Sequence, residues 1–230
     1  MMKLVLYILV GGLCLGSLST GMPVISSAKE ITGPVASRTH VMPKQCQYGK
    51  TAATARSWRW KSGTLVEIEY AQNDFTVPET AALSRAVDNW NAALAETESR
   101  VEFIQRVDGE FLAGSGAGII VRRGEPVVHG RVGELTFHSY SNGKVRLALT
   151  INPVVTDLEA LTSLMTHELG HSLGLADCYE CRRGTTAMSA FKSKNKGNDV
   201  FQPSECDRYV VATVYEKSSE LADSAAEVEH

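Results

Sequence analysis

The stretch His167-Glu168-Leu169-Gly170-His171-Ser172-Leu173-Gly174-Leu175-Ala176-Asp177 decides how the rest of the chain is read. On a helix, the spacing of His167 and His171 puts them one turn apart on the same face, so both imidazoles can reach one metal ion. Glu168 stands beside the first histidine, where a carboxylate can take a proton from a water held at the metal. Gly174 follows one turn later. It can adopt positive φ, which stops the helix and swings the chain back. That turn delivers Asp177 as a third ligand. Zinc accepts carboxylate oxygen as well as imidazole nitrogen, and three protein ligands leave one position open. His-Glu-x-x-His alone also occurs on ordinary helix faces, and the Gly and Asp at ligand spacing set this stretch apart.

Working outward, Thr156-Asp157-Leu158-Glu159 fits a capping box at the start of the same helix. Leu161, Met165 and Leu169 form its buried stripe. His167 and His171 lie off that stripe with Leu164, so the helix is expected to pack one face on the core and present the other to a cleft. Gly170 costs about 1 kcal/mol relative to Ala inside a helix. A close approach by a neighbouring group would explain it.

Strands precede this helix. Leu65 to Tyr70 alternates, with Val66, Ile68 and Tyr70 on one face and Glu67 and Glu69 on the other. Pro78 opens a helix whose buried stripe is Leu83, Ala86, Val87, Trp90 and Leu94. Val101 to Val107 and Gly118 to Arg122 read as further strands. Gly114 to Gly118 lacks the Lys-Ser/Thr ending of a phosphate loop and reads as a flexible connection. Val132 to Tyr140 and Lys144 to Ile151 flank Asn142-Gly143, a strong hairpin signal. The first hairpin arm is the more polar, as befits an edge strand. Ser204 with Asp207 starts a last helix, buried through Val210, Val211, Val214 and Tyr215. Residues 217–230 are acidic and read as a solvated tail.

The chain has 230 residues, 43% hydrophobic and 21% charged, with net charge −3. That supports a well-buried core and offers no basic stripe for nucleic acid. Lys3 followed by the apolar Leu4 to Leu18, with Ser26-Ser27-Ala28 as a cleavage site, reads as an export signal over 1–28. The apolar run is short for a membrane span, so no stable membrane association is expected once the signal is removed. Cys14 raises a lipoprotein reading, which Leu13 before it disfavours. Residues 29–63 read as a short propeptide, a linker or an arm packed on the domain.

Setting Cys14 aside, Cys46, Cys178, Cys181 and Cys206 are an even set for an exported protein, which suggests two disulfides. Three pairings are possible, of which Cys178–Cys181 with Cys46–Cys206 is favoured. The rival, metal binding by Cys178 and Cys181, lacks a second Cys-x-x-Cys. His40, His129, His138 and His230 read as solvated or packed imidazoles.

The motif from His167 to Asp177 resembles that of the metzincin metalloproteases. Their motif usually ends in His, and the Asp version resembles the snapalysin-like and matrixin-like branch of small secreted proteases. The resemblance covers about Thr64 to Tyr215. It implies an α+β fold: a twisted, mostly parallel five-stranded sheet with one antiparallel edge strand, an active-site helix, a Met-turn and a C-terminal helix, in a domain spanning 64–216. It implies one catalytic zinc ion held by His167, His171 and Asp177, with Glu168 as general base. Met188, in Thr185-Thr186-Ala187-Met188-Ser189, matches the Met-turn beneath the zinc. Gly133, Glu134, Leu135 and Thr136 match the edge strand to which extended substrates add. Tyr179 is a candidate oxyanion donor, and Cys46 loosely resembles the inhibitory thiolate of matrixin propeptides. Together these imply a secreted, monomeric zinc endopeptidase acting on proteins or peptides. Two rivals stand beside it. One is a gluzincin-like protease with Glu205 as third ligand. The other is a zinc-dependent binding module without proteolysis, against which Glu168 argues, since a closed structural site has no use for a base.

Overall fold

The computed structural model describes residues 41–46, 58–71, 73–97, 99–106, 117–139, 145–190 and 200–226. All belong to one compact unit, Thr39–His230. The export signal, Asn142-Gly143, most of the glycine run and Phe191 to Asp199 lie outside them.

A short 3-10 turn, Lys44–Cys46, precedes β1 (Leu65–Tyr70), α1 (Val77–Leu94), β2 (Glu102–Arg106), β3 (Ala117–Arg123), β4 (Gly133–Ser139), β5 (Val145–Ile151), α2 (Leu158–Ser172) and α3 (Glu205–Ala226). The fold is α+β. The strands make one sheet in the order β2-β1-β3-β5-β4. The pairs β1·β2, β1·β3 and β3·β5 are parallel, and β4 alone is antiparallel, running against β5 from Gly133↔Ile151 to Ser139↔Val145. β4 therefore lies at an edge.

One sheet face and two helices enclose the core. Val66, Ile68, Ile119, Val121, Leu147, Leu149 and Ile151 meet Leu83, Val87 and Trp90 of α1 and Leu161, Met165 and Leu169 of α2. The parallel strands are apolar on this face and carry charge on the other, where Arg106 pairs with Glu67 at 2.9 Å. The sequence reading of α1 holds in detail. Thr76 is its N-cap, and both the Thr76 N–H and hydroxyl donate to Glu79, at 2.8 and 2.7 Å.

Three local readings change. The cap of α2 is Asp157 rather than Thr156: its carboxylate accepts from Ala160 N–H at 2.8 Å. Asp offers two acceptor oxygens at a helix start and wins over threonine's single hydroxyl. Second, α2 is not two-faced, since every residue from Leu161 to Gly170 is buried. Thr162 and Thr166 permit this by bonding within α2 or to α1. Thr162 donates to Ala82 O at 2.9 Å, Thr166 to Thr162 O at 2.8 Å, and Trp90 Nε1 reaches Thr166 O at 2.7 Å. Third, α3 continues through Ala226, into the stretch read as a solvated tail. That stretch contains no Gly or Pro, so nothing in it stops a helix already begun.

Described parts of the segment before β1 pack against the domain. Trp60 is buried in the core, and Trp58 packs against the core. Cys46 is bonded to Cys206, and Cys178 to Cys181. Cys46 therefore offers no free thiolate to cap a metal, and Cys178 and Cys181 are occupied with each other. Among the described residues, no helix is long and apolar enough to cross a membrane.

Candidate metal centre

The last turns of α2 carry His167 and His171, with ring centroids 4.6 Å apart. The helix ends at Ser172, and Gly174 follows with φ +94°. A side chain there would be strained in φ and would meet the Trp58 carbonyl oxygen at 2.9 Å, so two separate constraints require glycine. The chain reverses and brings Asp177 back to the histidines. Its Oδ1 lies 3.2 Å from His167 Nε2 and 3.4 Å from His171 Nε2.

These separations fit a metal ion. Four ligand atoms held tetrahedrally at about 2.05 Å from zinc stand about 3.3 Å from one another. The group His167, His171 and Asp177 can hold an ion, its ligand atoms all lying within 4.8 Å of one another. The imidazoles are oriented for the task. His167 Nδ1 bonds Ala187 O at 2.8 Å and His171 Nδ1 bonds Leu175 O at 2.9 Å. A carbonyl can only accept, so each Nδ1 carries the proton and each Nε2 offers its lone pair to the cluster centre.

The same separations let a protonated His167 or His171 donate from Nε2 to Asp177, the proton taking the place an ion would hold. Burial pushes the Asp177 carboxyl up, but hydrogen bonds from His167 and His171 outweigh it and hold the group far below the usual carboxylate range. Burial likewise opposes a charge on His167, yet its hydrogen bond to Asp177 and the nearby Glu168 raise its pKa on balance.

Beneath the helix lies the Thr185–Ser189 turn. A Cβ on Gly170 would land on Met188 Sδ and come within 3.2 Å of Trp90 Cζ2. The neighbour anticipated for Gly170 is thus Met188 itself. Cys178 N–H donates to Met188 O at 2.7 Å, tying the Asp177 loop to this turn. Tyr179 is 67% exposed, and its hydroxyl makes a long 3.4 Å contact to Asp177 Oδ2. Glu168 is buried in α2 between the two histidines in sequence.

The four edge-strand residues already have partners within the chain. Gly133 packs on Leu164, Glu134 accepts from Val127 N–H at 2.6 Å, Leu135 lies against the core, and Thr136 donates to Ala148 O at 3.2 Å. What they retain for a partner is backbone. Glu205 sits elsewhere, lining a surface groove with Asn89, Thr185, Phe201 and Arg208.

Sequence reasoning assigned Asp207 only to a helix start. In the structure this fully buried carboxylate also accepts from Thr186 Oγ1 and from Ala187 N–H at 2.8 Å, while holding Ser204 N–H at 2.9 Å. It fixes the residue whose carbonyl orients His167. The Ser204-x-x-Asp207 spacing signals the cap, but nothing in the sequence signals the second partner.

No protein-family profile matches this chain, and no curated protein matches its sequence. Among solved structures, the chain is similar to the structure of myroilysin, with 13% identity over 71% of this chain and 98% of that one, at a TM-score of 0.41. It is also similar to a chain in the structure of a chaperone–substrate complex, with 12% identity over 72% of this chain and 38% of that one, at a TM-score of 0.35.

Proposed function

We propose that the protein is a secreted zinc endopeptidase of the metzincin type, with His167, His171 and Asp177 as metal ligands and Glu168 as general base. The observation that carries this reading is the convergence of three oriented ligand atoms at zinc spacing, with Glu168 next to His167 in the chain. Bound there, zinc would supply Lewis acidity, polarising the scissile carbonyl and lowering the pKa of a water toward ~7. Glu168 accepts the proton of the attacking water and passes it to the leaving amine. Ala187 O and Leu175 O keep His167 and His171 in the ligating tautomer. The backbone of β4 aligns an extended substrate, and Tyr179, exposed beside Asp177, donates to the oxyanion. Secretion is supported by the apolar leader sequence and the two disulfides.

The test is paired: zinc content and casein cleavage of the full chain and of Glu168→Ala. Both are expected to hold about one zinc, and only the native protein to cleave, with the variant down by at least about a hundredfold. Zinc binding without cleavage in the native protein would favour a binding module instead.

A further inference from the structure

Gly133, Leu135 and Phe137 share one face of β4; the first meets Leu164, Leu135 packs against the core, and Phe137 is 52% exposed. Its ring stacks edge-on against Trp58 with centroids 5.2 Å apart, and Trp58 in turn packs edge-on against the buried Trp60 at 4.9 Å. Trp58 is half-buried, and its carbonyl oxygen is the atom pressed against Gly174. The arm before β1 thus bridges the end of the edge strand and the turn that delivers Asp177.

This places the aromatic pair relative to the metal centre. Gly133 sits over Leu164, before the histidines on α2, while Phe137 reaches, through Trp58, the Gly174 turn just after them. The strand path from Gly133 to Phe137 is roughly 13 Å. The axial path from Leu164 to Gly174 is roughly 15 Å. β4 and α2 therefore run alongside one another with His167 and His171 between those two anchor points. The aromatic pair stands at one end of that span, anchored to the core through Trp60.

We infer that Phe137 and Trp58 form a specificity subsite that takes a large apolar side chain of the substrate. This rests on the proteolytic reading above. A peptide adding antiparallel to β4 runs opposite to it, so the end of β4 at Phe137 meets the part of the substrate N-terminal to the scissile bond. Antiparallel addition is the more stable pairing. The side chain received belongs to about the second or third residue before the cut, given the strand rise. Leu or Phe there covers the exposed face of Phe137 and removes apolar surface from water, whereas Ala or a charged residue does not. The backbone of β4 supplies affinity without choosing side chains, and this pair supplies the choice.

The experiment maps casein cleavage sites by mass spectrometry for the zinc-supplemented native chain, Phe137→Ala and Trp58→Ala. In parallel, calorimetry measures binding of peptides differing only by Leu or Ala at the second and third positions to the Glu168→Gln protein. Enrichment of Leu or Phe of about tenfold at one of these positions, collapsing in either variant, is expected. Cleavage without that enrichment, or enrichment surviving both substitutions, overturns the subsite and leaves the protease standing. No cleavage and no peptide binding overturns both. No cleavage, but Leu-selective binding lost on Phe137→Ala, keeps the subsite and removes the catalytic reading. Circular dichroism identifies a variant that fails to fold, and the other variant then carries the comparison.

Discussion

Met188 Sδ packs so close to Gly170 that a Cβ there would clash with it, at the helix turn that carries His171. Helix propensity alone makes Gly170→Ala stabilising by about 1 kcal/mol. Overpacking a filled interior costs about 1–3 kcal/mol. Met188 is fully buried and Trp90 closes the other side, so the packing cost is expected to win. Gly170→Ala should lower the thermal midpoint and weaken zinc binding together. A raised midpoint would mean that Met188 moves aside freely.

Asp177 and Glu205 compete as third ligand in a purely sequential reading, and their positions separate them. Asp177→Ala is expected to weaken zinc binding by more than about a hundredfold, beyond what loss of an outer partner usually costs. Glu205→Ala should leave the affinity within about twofold, since that residue lines a groove with Arg208. Competition titration with a chelating dye measures both, and the reverse ranking would remove Asp177 from the site.

The buried Asp207 links the start of α3 to the turn holding His167. Asp207→Asn keeps the shape but loses an acceptor oxygen among the Ser204, Thr186 and Ala187 donors. A cost of about 1–3 kcal/mol in urea unfolding is expected. Zinc affinity should fall as well, because Ala187 O orients His167. Unchanged affinity with reduced stability would confine Asp207 to a folding role.

The two disulfides are expected to act differently. Cys46–Cys206 spans 160 residues, and chain-entropy arguments assign such a loop about 5 kcal/mol at most, with about 2–4 typical. Cys178–Cys181 spans only 3 and contributes about 2 kcal/mol or less on the same reasoning. Replacing the first pair by serine should lower stability strongly. Replacing the second should cost little stability and mainly weaken zinc binding, through the loop that follows Asp177. Equal effects on the thermal midpoint would contradict this division.

Glu79 accepts from the Thr76 N–H and hydroxyl and pairs with Arg123, and the Thr76 bonds chiefly hold its carboxyl below the usual range. A depressed folded pKa stabilises above the unfolded value, and the contribution disappears as pH falls through the folded value. Glu79→Gln should therefore cost about 1 kcal/mol near neutrality and progressively less as the solution is acidified below the ordinary glutamate pKa. A difference independent of pH would mean that the carboxylate charge plays no part.

Some of this molecule was legible from local pattern alone. Periodicity placed β1, α1 and the β4–β5 hairpin because alternation and 3.6-residue repeats are properties of single elements. Gly174 was readable as a reversal and Asp177 as its product, since ligand spacing on one continuous segment is itself local geometry. Of three possible cysteine pairings, the favoured one, Cys178–Cys181 with Cys46–Cys206, is the one the tertiary structure forms. Other features depend on which surfaces meet. α2 looked two-faced because His167 and His171 lie off the Leu161, Met165 and Leu169 stripe. It is buried from Leu161 to Gly170, where Ala82 and Trp90 of α1, distant in sequence, bond it. Asp207 reads as a cap until the Thr185–Ser189 turn is folded against it, and Trp58 reads as part of an arm until Phe137 and Gly174 stand on either side. A sequence fixes the chemistry each residue can offer and the conformation its neighbours favour. Which groups complete one another across the chain is settled only when folding brings them together, because most buried polar groups need a partner.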